Sequence, residues 1–231
     1  MSKAEAVEKW GVDGFVFTEA VRGGALPWRV GDAKLANDVL GPVRHAHDDA
    51  AEYYYMFSGS AHVETGGEEF VLEEGQLGYI PPDAPHNFTG PATDQDACLF
   101  CVIAPNLVEN KWRVKDFLPG TESLRMAVGT PFEDEELPAG GMLAAHAIEL
   151  DAGVEPVKLV PEGCEMVHLV VDGELEARFE NGLAGRIETG RYLHVREGVA
   201  HELSAAAPCR VLRMDCFFES WKGVPLGADA A

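Results

Sequence analysis

Residues 41–59 read Gly-Pro-Val-Arg-His-Ala-His-Asp-Asp-Ala-Ala-Glu-Tyr-Tyr-Tyr-Met-Phe-Ser-Gly. His45 and His47 are two residues apart, so on a β-strand both imidazoles face the same side. Glu52 follows a short acidic turn and opens the aromatic run, from which its carboxylate can point back at the two imidazoles. The stretch therefore predicts two short strands joined by a tight turn, with three metal-binding side chains on one side.

A third imidazole follows a second turn. His86 ends the Pro-rich segment Pro-Pro-Asp-Ala-Pro at residues 81–85. A His-x-His pair on a strand by itself is more often a pair of ordinary surface or core residues than a pair of metal ligands. The additional Glu and His at these spacings favour a metal site. Three neutral imidazoles and one carboxylate suit a first-row divalent ion and leave up to two octahedral positions open. We predict that His45, His47, Glu52 and His86 bind one divalent metal ion per chain.

Strand patterns continue through most of the 231 residues. Short runs rich in Val, Ile, Tyr and Phe alternate with Gly, Pro and Asp turns, which is typical of an all-β barrel or sandwich. Helical signal is confined to the ends, for example a capping-box pattern at Ser2–Glu5. The predicted strands are Glu52–Phe57, His62–Glu64, Glu69–Leu72, Leu77–Ile80, Cys98–Ile103, Leu143–Leu150, Met166–Val171, Leu175–Phe179, Tyr192–Val195 and Arg210–Phe217.

The chain also repeats itself. Pro42-Val-Arg pairs with Pro156-Val-Lys and Gly59 with Gly173 at an offset of 114 residues, and Gly75 with Gly190 at an offset of 115. A unit that occurs twice predicts two barrels in tandem. Residues 119–141 are rich in Gly, Pro and acidic side chains and read as a connector. We predict a metal-binding domain at 1–118, this connector, and a second domain at 142–231.

These motifs resemble a known family. The stretch from Gly41 through His45, His47 and Glu52 to Gly59 resembles the first cupin motif, and the stretch from Gly75 to His86 resembles the second. Asp83 stands where a Gly is common in the second motif. The resemblance implies a bicupin, that is, two double-stranded β-helix barrels of jelly-roll type in tandem.

The second repeat lacks most of the ligands. Aligned with the first, it places Leu159, Pro161 and Met166 at the positions of His45, His47 and Glu52, and retains only His201. We therefore expect the second barrel to have lost the metal. His168 aligns with Tyr54, and we expect a satisfied core histidine there. A ligand set of His168 and His201 with His194 or Glu165 is the alternative.

Strand alternation from Glu52 assigns the neighbours of the predicted site. Tyr54 and Met56 face inward with Glu52, whereas Tyr53, Tyr55 and Phe57 face outward. Tyr54 and Met56 are thus candidates to line a substrate pocket, with Tyr54 and Glu52 as candidate catalytic groups. Tyr79 and Phe88 flank the second motif and are further candidates. Filling of the barrel core is an equally good explanation for all of them.

Composition limits the partners. The net charge of −21 repels phosphate backbones and anionic lipid, so we expect neither a nucleic acid nor a membrane partner. No signal peptide is visible, and five scattered cysteines suit a reducing cytoplasm. The outward-facing aromatic residues Tyr53, Tyr55 and Phe57 should be buried against another surface. We expect that surface to come from pairing of the two barrels or from a homodimer. The expected ligand is a small-molecule substrate.

The fold alone does not determine which reaction the protein catalyses. Our first hypothesis is a metal-dependent dioxygenase acting on a small oxygenated organic compound, with Fe(II) favoured. Mn, Ni, Zn, Co and Cu are also compatible with histidine and carboxylate ligands. The runner-up is a non-redox isomerase, lyase or decarboxylase in which Glu52 or Tyr54 handles a proton. A non-catalytic small-molecule-binding protein is the third alternative.

Overall fold

The structure is a computed structural model that describes residues 15–22, 29–35, 45–47, 50–92, 97–104, 113–114 and 124–217. Every regular element in these ranges is a β-strand. The described residues fall into two compact units that divide between Thr130 and Pro131. This division lies inside the predicted connector; the domain limits suggested by the sequence remain a prediction.

Two sheets form the first unit. One has the strand order β1-β2-β9-β4-β7-β11 and the other the order β10-β3-β8-β5-β6. The strands are β1 (Phe15–Arg22), β2 (Arg29–Leu35), β3 (His45–Ala46), β4 (Ala51–Ser58), β5 (Ser60–Thr65), β6 (Glu68–Glu73), β7 (Leu77–Ile80), β8 (His86–Pro91), β9 (Ala97–Ala104), β10 (Arg113–Val114) and β11 (Ala127–Gly129).

Two further sheets form the second unit, with the orders β12-β19-β14-β17 and β13-β18-β15-β16. These orders repeat β2-β9-β4-β7 and β3-β8-β5-β6 of the first unit, strand for strand. The predicted all-β fold and its tandem repeat are therefore confirmed. The strands are β12 (Leu143–Leu150), β13 (Val157–Leu159), β14 (Cys164–Asp172), β15 (Glu174–Phe179), β16 (Ala184–Glu188), β17 (Tyr192–Val195), β18 (His201–Ser204) and β19 (Cys209–Phe217).

Each unit buries its apolar residues between its two sheets. In the first unit Met56 and Leu99 from one sheet pack with Val63 and Phe88 from the other. In the second, the matching core contains Val170, Leu175, Leu203 and Val211. These side chains alternate with residues of the opposite face along each strand, as a two-sheet barrel requires.

The outward face of β4 is also buried. Tyr53 and Tyr55 are almost fully covered within the single chain, and the Tyr53 ring lies 5.4 Å from that of Tyr79. A homodimer is thus not needed to cover the predicted aromatic row, and it stays a prediction. Among the described residues, no helix has the length and apolar character to span a membrane.

The sequence did not predict several of the strands, among them β11 and β16. All five residues of β16 are exposed or half-buried, so the strand shows no apolar alternation and is held by its pairing with β15. β11 lies within the predicted connector and pairs with β7. The predicted helical start at Ser2–Glu5 lies outside the described residues.

Candidate metal centre

Three strands and one turn bring the four predicted ligands together. His45 on β3 is directly opposite His86 on β8, and His47 comes immediately after β3. Glu52 lies in the middle of its sheet, between Ile80 of β7 and Ile103 of β9. Pairing on both sides fixes the backbone at Glu52, and its carboxylate points inward to His47 and His86.

The ligand atoms of these residues converge. One nitrogen or oxygen atom from each of His45, His47, Glu52 and His86 lies within 4.8 Å of all the others. All four side chains are at most 7% exposed. Within the described ranges this is the only group of three or more His, Cys, Asp or Glu side chains with such geometry.

Glu52 lies at the centre of the group. Its Oε1 atom is 2.8 Å from His47 Nε2 and 3.5 Å from His86 Nε2. Burial by itself raises the pKa of Glu52, but the nearby His47, His86 and His45 more than offset this, and the pKa falls well below its usual value. The carboxylate therefore stays ionised at every physiological pH. Burial, in contrast, lowers the pKa of His86, which keeps that imidazole neutral and able to bind a cation.

The orientation of His86 is fixed by the Pro-rich turn before it. His86 Nδ1 lies 3.0 Å from the carbonyl oxygen of Ala84, which can only accept, so Nδ1 carries the proton. The lone pair is then on Nε2, the atom that faces Glu52. The turn is itself tied to the site, because the Asp83 amide donates to the His47 carbonyl at 2.8 Å. This arrangement orients in advance an imidazole that could bind a metal.

The donor set fits a divalent ion. His86 Nε2, His47 Nδ1 and Glu52 Oε1 are buried without an aligned hydrogen bond to any described residue. Leaving such atoms unmet costs about 1–3 kcal/mol each. A cation among three imidazoles and one carboxylate would satisfy the inward-facing atoms, so the residues present fit the implied metal.

The residues predicted around the site divide between the two faces. Tyr54 points inward, donates a hydrogen bond from its hydroxyl to Glu52 Oε2, and packs its ring 4.6 Å from that of Phe88. Met56 and Phe88 are buried in the same interior cluster. Tyr79 does not belong there: it lies opposite Tyr53 on the outward face, because Gly78 and Ile80 take the inward positions of β7.

The described part of the second barrel, residues 131–217, has no equivalent group. His168 and His201 face each other inside it, with their Nε2 atoms 2.9 Å apart. Glu165 and His194 form a separate pair, Oε2 to Nε2 at 2.8 Å. Glu165 alternates with His168 along β14 and so lies on the other face of the sheet. The alternative ligand set of these four residues is therefore not brought together.

Sequence reasoning missed a polar row in this barrel. Arg213 and Asp215 alternate with apolar neighbours on β19, and Arg213 is directly opposite His168. Arg213 Nη2 is 3.0 Å from Asp215 Oδ2, and His146 Nε2 is 3.3 Å from the same oxygen. Cys209 and Val211 face the core, and alternation along β19 puts Arg213 and Asp215 on the same face. This alternation is the sequence signal that could have identified both residues.

Comparison with known proteins supports the fold. Residues 36–103 match the family model of the cupin domain. No protein of curated function shows significant sequence similarity to the chain. The two-barrel architecture is similar to protein Ylba from E. coli, with a TM-score of 0.66 and 16% identity over 87% of this chain and 82% of that one.

Two enzymes share the same architecture at similarly low identity. A variant of salicylate 1,2-dioxygenase from Pseudoaminobacter salicylatoxidans, in complex with gentisate, has a TM-score of 0.67 and 16% identity over 93% of this chain and 78% of that one. Bacillus subtilis oxalate decarboxylase, a protein with Mn(II) centres, has a TM-score of 0.58 and 14% identity over 93% and 81%. At these identities the similarity establishes the fold alone.

Proposed function

We propose that this tandem cupin is a metal-dependent dioxygenase that acts on a small oxygenated organic compound in its first barrel. The observation that carries the proposal is the buried convergence of His45, His47, Glu52 and His86. One divalent ion suits this donor set; Fe(II) is favoured, and Mn, Ni, Zn, Co and Cu are alternatives. A bound redox-active ion would supply Lewis-acid activation of a chelating substrate and access to dioxygen chemistry.

The chain's own residues provide the surroundings that such chemistry needs. Met56, Phe88 and Ile103 are at most 2% exposed and pack in the same apolar interior as Tyr54. Exclusion of water protects reactive species from hydrolysis and strengthens electrostatic interactions. The Tyr54 hydroxyl holds Glu52 Oε2, leaving Oε1 toward the imidazoles. The similar fold of a salicylate 1,2-dioxygenase with bound gentisate supports an aromatic hydroxy acid as the first substrate to test.

The Tyr54–Glu52 contact also favours a second candidate. A phenol hydrogen-bonded to a carboxylate can hold a proton at Tyr54 Oη and deliver it to a bound substrate. This would serve a non-redox isomerase, lyase or decarboxylase with Zn(II) or Mn(II). Dependence on dioxygen distinguishes the two candidates.

The first experiment is elemental analysis of protein purified without a His-tag, beside the double variant His45→Ala/His47→Ala. We expect about one equivalent of metal in the wild type and its loss in the variant. The effect on affinity should exceed the ~100-fold that loss of an outer-shell partner can cause. His62→Ala is the matched control, because His62 is half-exposed and pairs with Glu69 away from the site.

Oxygen consumption then tests the reaction. Protein reconstituted with Fe(II) is supplied with gentisate, salicylate or a β-diketone in an oxygen electrode, and uptake should require His47. Turnover under strictly anaerobic conditions with Zn(II) would replace the dioxygenase proposal with the second candidate. If no metal binds even after reconstitution, both catalytic proposals fail, and a non-catalytic small-molecule-binding protein remains.

A further inference from the structure

A residue of the predicted connector enters the first barrel. Met126 comes immediately before β11, is 5% exposed, and packs in the interior cluster that contains Tyr54. Its amide donates a hydrogen bond to Thr65 Oγ1 at 3.0 Å. Because β11 pairs with β7 in one sheet and Thr65 lies on β5 of the other, Met126 connects the two sheets of the barrel.

Gly78 leaves room for the Met126 side chain. Gly78 takes an inward position on β7, directly opposite Tyr54. A Cβ atom there would overlap Met126 Sδ and would lie 3.0 Å from its Cε atom. Glycine inside a strand weakens the strand and often marks the close approach of another group. Here that group is the thioether of Met126, which lies beside Tyr54 in place of a side chain from β7.

The second barrel fills the corresponding position from its own strand. Leu193 on β17 is opposite His168, as Gly78 on β7 is opposite Tyr54. The Leu193 side chain packs against the core itself. In the described part of this unit no strand pairs with the free edge of β17. Filling by a methionine from outside the repeated strands is therefore seen in the barrel that has the candidate metal cluster.

Met126 lies level with Glu52. Ala127 is paired with Tyr79, so Met126, one residue earlier, continues this pairing beside Ile80. Ile80 is in turn directly opposite Glu52 on β4 and is 1% exposed. The backbone of Met126 is thus two strands away from that of Glu52, in the same layer of side chains across the barrel.

Thr65 holds the same place in the opposite sheet. It is directly opposite His86, which is directly opposite His45, and it is 1% exposed. The candidate ligands therefore occupy one side of this layer, and Thr65, Ile80 and Met126 occupy the other. None of these three side chains is an imidazole or a carboxylate. A substrate bound at the coordination positions that the ligands leave open would lie against them.

The three side chains differ in what they offer a substrate. Thr65 Oγ1 accepts the hydrogen bond from the Met126 amide, and its hydroxyl proton can be donated to a substrate oxygen. Ile80 is branched at Cβ, which restricts its rotamers. Met126 is unbranched and flexible, so its side chain can adapt to a neighbour without moving a strand. Met126 is therefore the residue whose size decides how much space lies beside Tyr54.

We propose that Met126 determines which substrates the first barrel accepts, because it occupies the space that a bulky substituent on a chelating substrate would need. This inference rests on the proposed metal-dependent function. It defines the substrate class as a compact molecule that binds the ion through two oxygen atoms and places its apolar body against Ile80 and Met126. Shortening of Met126 should enlarge this space, since the surroundings of deleted core atoms collapse only in part.

Binding of two hydroxamates to the zinc-loaded full chain tests the proposal. Benzohydroxamate and 4-tert-butylbenzohydroxamate present the same pair of chelating oxygens and differ in bulk. Isothermal titration should show that wild type binds the smaller compound about tenfold or more tightly than the larger one, and that Met126→Ala loses most of this preference. Met126→Leu keeps a large side chain and is the matched control, with a preference close to that of wild type.

A second measurement observes the wild-type chain directly. The protein has six methionines, whose methyl groups can be labelled with ¹³C for NMR. Binding of benzohydroxamate to the zinc-loaded protein should shift the methyl resonance of Met126, which is identified by its loss in Met126→Leu. The methyl resonance of Met166, inside the second barrel, should not change.

The outcomes separate this inference from the function on which it rests. An equal preference in wild type, Met126→Ala and Met126→Leu, or an unmoved Met126 resonance on hydroxamate binding, would overturn the role of Met126 while the metal centre stands. So would zinc binding without hydroxamate binding in all three proteins. Failure of zinc to bind even after reconstitution would remove the candidate metal centre and, with it, this inference.

Discussion

The two carboxylate oxygens of Glu52 have different neighbours. Oε1 faces His47 and His86, whereas Oε2 accepts a hydrogen bond from the Tyr54 hydroxyl. The phenol therefore limits rotation of the carboxylate and directs one oxygen at the position that a cation would take. Tyr54 is in this sense a positioning residue for the candidate metal centre.

Removing that hydroxyl should weaken metal binding without unfolding the barrel. For Tyr54→Phe we expect ~10–100-fold lower metal affinity, the usual effect of losing an outer-shell partner. The measurement is a competition titration against a chromophoric chelator. Tyr79→Phe is the matched control, since Tyr79 lies on the outward face. Equal affinities for Tyr54→Phe and wild type would contradict the role given to Tyr54.

His168 should make stability depend on pH. Its pKa is near 6.5 when unfolded and about 3 in the folded barrel, so the unfolded chain binds more protons between these values. The resulting stabilisation is complete above pH 6.5 and is lost as the pH falls toward 3, by roughly 1.4 kcal/mol per pH unit. Urea unfolding of wild type and His168→Gln should show a steeper acid loss for the wild type. Parallel pH profiles would refute this.

At the scale of elements, the turn between β14 and β15 depends on Gly173. Its φ is +85°, and a Cβ atom there would lie 2.6 Å from the Pro208 carbonyl oxygen. Gly190 also has a positive φ, +77°, but a Cβ there meets nothing within 4 Å. Alanine substitutions at the two glycines therefore distinguish the cost of backbone strain, which both share, from the cost of a steric clash, which arises at Gly173.

Alanine at each position should have different effects on stability. Gly190→Ala should cost ~1–2 kcal/mol, the strain of a left-handed residue. Gly173→Ala should cost a further ~1–3 kcal/mol, because backbone must move to admit the methyl group. Urea unfolding followed by circular dichroism measures both. Equal losses in the free energy of unfolding would show that the backbone around Pro208 moves at little energetic cost.

The sequence predicted strands whose apolar residues are mostly buried or half-buried. β7, β12 and β17 begin and end where expected, since their apolar residues mark the core. β16 has no buried residue, so only its pairing with β15 reveals it. Asp83 stands where a glycine is common in the second motif, and its φ of 67° shows that the turn keeps the glycine-like conformation.

The site was predictable to a similar extent. Ligand spacing identified four residues that the fold brings together, because His-x-His and the following turns fix their faces locally. The hydrogen bond from Tyr54 to Glu52 could not be predicted, since alternation places both side chains inward but does not give their rotamers. The cluster around Arg213 depends on pairing between β14 and β19, strands far apart in sequence.

The two units repeat one strand order, but among the described residues the candidate metal cluster is found in the first unit alone. A ligand that binds only the folded state stabilises by RT ln(1 + [L]/Kd). Metal added to metal-free protein should therefore slow amide exchange in peptides from residues 50–92. Peptides from 164–217 should change much less. Hydrogen exchange with mass spectrometry measures both, and equal protection would show that the units respond as one.

The hydrogen bond from Nδ1 to a carbonyl two residues earlier occurs at His86 and again at His201. The second barrel thus has the same turn before its histidine, but not the other three ligand types of the first barrel. Leu159→His, Pro161→His and Met166→Glu would place the same four residue types around His201, whose Nε2 atom now lies 2.9 Å from His168 Nε2. Such a variant would separate what the barrel scaffold contributes to the candidate metal centre from what the ligands contribute.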